Sequence, residues 1–117
     1  MASIFRVLVK TDHMISRKKI DLVKKASQDF PCAVLLKVGG KPGMMFAEGE
    51  GAEKWLNVVK KLRYKGFRLQ KKELVSSALL DLQPGKVIEF ESVRDLAAFL
   101  SKRLELYEWW RTHMGYK

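Results

Sequence analysis

Apolar residues along this chain recur with two periods, and the switches between them predict an order of elements. Ile4–Lys10 (IFRVLVK) is rich in β-branched and aromatic residues, with Phe5, Val7 and Val9 alternating with Arg6, Leu8 and Lys10. That pattern is a strand with one apolar and one partly basic face. Thr11–Ile15 is a loop and Ser16 an N-cap. The helix that follows reaches about Asp29, with Ile20, Val23, Ser27 and Phe30 at helical spacing and Ala26 beside them. Pro31 stops it. Cys32–Val38 and Gly43–Glu48 are two strands of a hairpin whose bend is Gly39–Gly43, GGKPG. In that bend Pro42 fixes one φ and Gly43 admits φ > 0. Trp55, Val58, Val59 and Leu62 form one stripe on a helix over Ala52–Arg63, with Gly66 as its stop. Phe67–Val75 is the next strand. Phe67 and Leu69 fall on one face of it, and Arg68, Gln70 and Lys72 on the other.

Strand, helix, strand, strand, helix, strand is the order of the split βαβ plan. The expected fold class is α+β: a ferredoxin-like βαββαβ sheet with both helices on one face and the first and last strands side by side. The remainder adds to it. Ser76–Pro84 is irregular and Lys86–Glu91 is a short extra strand. Ser92, with Asp95 three residues on, caps a helix whose inner stripe is Val93, Leu96, Ala97 and Leu100. Leu104–Met114 is a last helical segment carrying Tyr107, Trp109 and Trp110. Adjacent tryptophans point different ways on a helix, so one of the two is expected to be partly exposed. With no repeat, low-complexity tract or linker, the expectation is a single ferredoxin-like domain over 1–117, with 76–117 packed on it as an extension.

Composition narrows the function. The chain has 117 residues, 23 Lys and Arg against 13 Asp and Glu, a net charge of +10 and a pI near 9.9. Such a surplus favours an acidic partner, nucleic acid first and an anionic membrane or acidic protein second. The basic residues are not concentrated on one strongly amphipathic helix, so a membrane is not an expected partner. No apolar run approaches the span of a bilayer and MASIFRVLVKTD lacks the form of a signal peptide, so the expected location is intracellular, nuclear or cytoplasmic. The one cysteine, Cys32, lies in an apolar run and reads as a small buried hydrophobe.

Basic residues gather in two places. Arg17, Lys18 and Lys19 occupy the first turn of the first helix, where the dipole is already positive and carboxylates are the favoured residues. Positive side chains around free N–H groups suit an anion such as phosphate, and His13 just upstream adds a donor. The second place is KKLRYKGFRLQKK, in which Lys60, Lys61, Arg63, Lys65, Arg68, Lys71 and Lys72 are basic and nothing is acidic. On the expected sheet, Arg68, Gln70 and Lys72 face away from the two helices together with Arg6 and Lys10. That is a basic sheet face of the kind on which single-stranded RNA lands. Should the C-terminal segment cover that face, its charges must lie at the rim. Lys41, in the hairpin bend, joins the set.

Catalytic patterns are not found. GGKPG lacks the ending of a phosphate-binding Walker loop, and His13 and His113 have no metal-ligand partner at i+4. There is no nucleophile elbow. Glu50 and Glu53 are accounted for by the positive end of the second helix. The expectation is a protein that is not an enzyme and uses neither cofactor nor metal.

Several pieces in order carry a family likeness. They are HMISRKKIDLVKKA from His13 to Ala26, GKPG from Gly40 to Gly43, MMFAEG from Met44 to Gly49, LRYK from Leu62 to Lys65, and the tail from Phe90 to Phe99 and on to Trp110 and Gly115. In these the chain resembles the C-terminal domain family of the small nuclear ribonucleoprotein pre-mRNA-processing factor three, a domain that also follows RWD domains. The resemblance covers most of the chain and implies a ferredoxin-like fold with C-terminal additions. The spliceosomal member binds small nuclear RNA, so the resemblance implies RNA binding through His13, Arg17, Lys18, Arg63 and Lys65. Neither a long N-terminal region nor an RWD domain accompanies these 117 residues, which points to a stand-alone relative or an excised domain.

The expected function is therefore a non-enzymatic RNA-binding module, with a ribonucleoprotein as a second candidate partner. Its phosphate-binding residues are Arg6, Lys10, His13, Arg17, Lys18, Lys19, Lys41, Arg63, Lys65, Arg68, Lys71 and Lys72. The alternative is a protein-interaction module anchored by Tyr107, Trp109 and Trp110. The oligomeric state stays open.

Overall fold

The computed structural model describes residues 3–116. Five strands and four helices follow one another: β1 (Ile4–Thr11), α1 (Arg17–Asp29), β2 (Ala33–Lys37), β3 (Gly43–Gly49), α2 (Ala52–Lys60), β4 (Arg68–Val75), β5 (Val87–Phe90), α3 (Val93–Leu100) and α4 (Leu104–Met114). The strands form one sheet in the order β4-β1-β3-β2-β5. β1 pairs antiparallel with β3 and β4, β3 pairs antiparallel with β2, and β5 adds in parallel on the outer side of β2. β1 and β2 therefore run the same way with β3 between them, as do β3 and β4 with β1 between them.

Alternation along the strands fills two cores, one on each side of the sheet. Val7, Val9, Val34, Leu36, Met45 and Ala47 meet Ile20 and Val23 of α1 and Trp55, Leu56 and Val59 of α2. Leu8, Ala33, Leu35, Met44 and Phe46 point the other way, and α3 and α4 cover them with Leu96, Leu100, Leu106, Trp110 and Met114. A central strand enclosed on both faces has no polar side, which is why β3 is buried throughout.

The local stops differ in detail from the sequence reading. Ser16 caps α1 and Ser92 caps α3 as expected, their hydroxyls accepting from the amides of Lys19 and Asp95. α2 ends at Lys60, short of Arg63, and Arg63 itself takes a left-handed backbone with φ 57°. In the hairpin bend the positive φ falls on Gly39. Gly43 is needed for another reason: a Cβ there would run into the Thr11 hydroxyl and the Met14 side chain, where β1 and β3 begin to pair.

β4 carries the largest departure. Leu69 lies opposite Val9 and Lys71 opposite Leu8, so Gln70 is an extra residue that bulges from the edge strand. Every side chain beyond it changes face. Lys72 consequently sits on the α2 side, where its amine donates to Glu53 Oε2 at 2.7 Å.

Candidate nucleic-acid interface

The sheet face expected to receive RNA is covered by α3 and α4. Arg6 points to that face as the alternation required, but it is 5% exposed and its Nε donates to Glu48 Oε2 at 2.7 Å. Its guanidinium also lies 5.4 Å from the centre of the Trp109 ring. A cation so enclosed and neutralised cannot hold a phosphate, so Arg6 leaves the candidate set. The pair is structural. The other oxygen of Glu48 accepts from the amides of Leu79 and Leu80, at 3.0 and 2.7 Å. One carboxylate thus ties β1 to the connection between β4 and β5.

The C-terminal aromatics serve the same layer. Trp110 is 2% exposed in the core beneath α4. Trp109 packs edge-on against Phe46 with ring centres 5.7 Å apart, and its indole N–H donates to Glu73 at 2.7 Å. Trp110 lies in the core while Trp109, half-buried, covers its flank, so one of the two is partly exposed as expected. Tyr107 is half-buried beside Trp110, with Arg111 over its ring. The tryptophans pack within the chain, so the interaction reading loses its principal anchors.

Two further candidates, Arg17 and Lys72, are neutralised. Arg17 makes a two-point contact with Glu89, at 2.7 and 3.0 Å, and Lys24 donates to the same carboxylate at 3.0 Å. The hydrogen bond from Arg17, with that from Lys24, holds the Glu89 carboxyl at about 2. Lys72 is engaged with Glu53, as above. Lys71 is half-buried on the α4 side and Lys18 is exposed on the first turn of α1.

The other candidate residues converge on one end of the sheet, where β1 stops, β3 and β4 start and α1 begins. The amide of Asp12 donates to the carbonyl of Lys65 at 2.9 Å, which joins the β1–α1 loop to the α2–β4 loop. On one side of this seam lies a hollow of about 490 Å³, lined by Lys10, Lys41, Arg68, Asp12, Gly66 and Tyr116 among others. On the other side a smaller hollow of about 150 Å³ is lined by His13, Ser16, Lys19, Arg63, Tyr64 and Lys65. Seven of the expected residues meet here from four separate segments. Lys37 supports them from within: its buried amine donates to the Gly40 carbonyl at 2.7 Å and braces the bend that presents Lys41.

The smaller hollow is firmly held. The Lys19 amine lies 5.2 Å from the centre of the Tyr64 ring and donates to the Arg63 carbonyl at 3.4 Å. Burial pushes the Tyr64 hydroxyl up to about 12, and among the described residues that hydroxyl has no hydrogen-bond partner. Left-handed backbone at Arg63 costs roughly 1–2 kcal/mol for a side chain other than glycine. This is strain stored at a residue of the site, as ligand-binding loops often show.

The opposite end of the sheet lacks such a gathering of cations among the described residues. Glu48 and Glu50 line a mainly apolar hollow of about 310 Å³ with Ile4, Leu80 and Leu82. Among the described residues no group of three or more His, Cys, Asp or Glu side chains is placed to hold a metal ion. Among the described residues no helix is long and apolar enough to cross a membrane.

Two residues of the larger hollow escaped the sequence reading. Asp12 is the only acidic residue before Asp21, and that isolation was a usable signal. Tyr116 reaches the hollow because α4 runs back toward the basic end, a path that no local pattern announces. No protein-family profile, characterised protein or solved structure matches the chain, so the reading of the site rests on its geometry and chemistry.

Proposed function

We propose that the protein is a non-enzymatic RNA-binding module that holds the phosphate backbone across the basic end of its sheet. The observation that carries this is the pair of adjoining hollows. Lys10, Lys41 and Arg68 line one and His13, Lys19, Arg63 and Lys65 the other, with Asp12 the single carboxylate between them. Among the described residues none of these lysines and arginines forms an ion pair; like charges held near one another repel, and a polyanion relieves that repulsion while releasing its own condensed counterions. The first four strands and two helices are read as a ferredoxin-like unit to which β5, α3 and α4 are added. The likeness to the C-terminal domain of pre-mRNA-processing factor three supports RNA as the polyanion and a ribonucleoprotein, nuclear or cytoplasmic, as the setting. The landing surface differs from the sheet face that such folds commonly use, because α3 and α4 occupy that face.

Fluorescence anisotropy with a labelled single-stranded RNA tests the reading. Five neutralised phosphates give a log–log salt slope of about −3.5 between about 50 and 200 mM salt. The variant Lys41→Glu/Arg63→Glu/Arg68→Glu is expected to lose at least about a hundredfold in affinity. A control with the same change in net charge, Lys25→Glu/Lys54→Glu/Lys102→Glu, is expected to lose far less. Equal losses in the two, or wild-type affinity no tighter than about 10⁻⁴ M, the weak end of non-specific binding, would end the proposal.

A further inference from the structure

Asp12 is out of place in a phosphate-binding hollow. Among the described residues, the carboxylates that accept a hydrogen bond or pair with a cation are those of Asp21, Asp29, Glu48, Glu53, Glu73 and Glu89. Asp12 is not among them, although it lines the same hollow as Lys10, Lys41 and Arg68. The fold makes room for it. Gly66 has φ 69°, and a Cβ there would collide with the Asp12 carboxylate. Both backbone groups of Asp12 are fixed, its amide to Lys65 at 2.9 Å and its carbonyl to the amide of Gly43 at 3.1 Å. A carboxylate positioned in this way repels phosphate, so a ligand that tolerates it must bring a hydrogen-bond donor to that point.

We infer that Asp12 accepts a hydrogen bond from a ribose 2′-hydroxyl and makes the hollow selective for RNA over DNA. The inference rests on the function proposed above. Its place among the phosphate-holding cations puts Asp12 at the level of the sugar, the group that adjoins the phosphate, and the 2′-hydroxyl is the donor that separates the two nucleic acids there. The hollow, at about 490 Å³, falls within the size range of small-ligand sites. Tyr116, 40% exposed and held edge-on by Trp110 at 5.3 Å between ring centres, offers a face on which the base stacks.

Anisotropy titrations with RNA and DNA of one single-stranded sequence, on wild type, Asp12→Ala and Tyr116→Ala, test this. Wild type is expected to prefer RNA by about tenfold or more, the effect of one hydrogen bond to a charged acceptor. Asp12→Ala should lose that preference while its DNA affinity holds or rises, since a repulsive charge has gone. Tyr116→Ala should weaken RNA and DNA alike. Equal binding of RNA and DNA by wild type, or a gain of the same factor for both in Asp12→Ala, would overturn the role of Asp12 and leave the phosphate-binding reading in place. Absence of binding to either nucleic acid would overturn both. Circular dichroism of each variant confirms that the fold is kept, and an unfolded Asp12→Ala would be replaced by Asp12→Leu, which also lacks an acceptor and for which the same collapse of preference is required.

Discussion

Replacing Glu48 with alanine should destabilise the protein more than removal of any exposed carboxylate. The side chains of Arg6 and Glu48 are 6% and 1% exposed and their contact is 2.7 Å. Breaking a buried pair by removing one partner costs about 3–5 kcal/mol, because the charge left behind stays out of water. The same substitution strips the acceptor from two amides, of which Leu80 is buried. An unsatisfied buried N–H costs about 1–3 kcal/mol more. The combined loss of about 4–8 kcal/mol is a large share of the 5–15 kcal/mol typical of a domain. With a urea slope of about 2 kcal/mol/M it moves the midpoint by about 2–4 M. Urea unfolding of wild type, Glu48→Ala, Arg6→Met and Arg6→Met/Glu48→Gln reads this out. The double variant keeps the acceptor for both amides and removes the charge, so it should recover most of the loss. A cost below about 1 kcal/mol for Glu48→Ala, or no coupling between the two positions, would refute the structural role given to Arg6.

Three further outcomes follow from particular contacts. Lys72→Ala breaks only an exposed contact with Glu53 and should cost less than about 1 kcal/mol; it should weaken RNA binding less than Arg68→Ala, and the reverse order in anisotropy would contradict the change of face at Gln70. Glu89, held at about 2 by Arg17, contributes stability that is whole above the ordinary glutamate value near 4.5 and is lost as pH falls through about 2; Glu89→Gln should flatten this acid-side decline in thermal melts, and an unchanged profile would argue against the pair. The Cys32 thiol is fully buried and pushed up to about 12 by desolvation, so a disulfide reagent at neutral pH should react only after denaturant is added; rapid modification of the native protein would count against its burial.

Much of the fold was written in local patterns. The alternation Phe5-Val7-Val9, the caps at Ser16 and Ser92 and the stripe on α2 placed strands and helices close to their observed bounds. Those signals are local, and so is the information they carry. What lay beyond them was set by pairing. Arg6 looks like any solvent-facing cation in a strand until Glu48, 42 positions away, closes on it. Lys72 follows the alternation of Arg68 until one bulged residue reverses it. Arg17 sits in a helix turn that suits an anion, and the anion it finds is Glu89 on the added strand β5. The basic end was legible as residues, since Lys10, His13, Lys19, Lys41, Arg63, Lys65 and Arg68 were all candidates, but not as a place. Its location is a property of the sheet order, which brings the ends of four segments together, and of α3 and α4, which close the face that looked open.

The central claim is that the fold brings Lys10, His13, Lys19, Lys41, Arg63, Lys65 and Arg68 together at one end of the sheet, and that this end is the proposed seat of nucleic acid. Titrating isotope-labelled protein with a single-stranded RNA and following each backbone amide by NMR tests it most directly. Shifts should concentrate at Lys10, Asp12, His13, Lys41, Lys65, Gly66 and Arg68 and stay small at Glu50, Ala78 and Leu82 around the opposite hollow. Shifts spread evenly over the surface, or centred on that opposite end, would contradict the account.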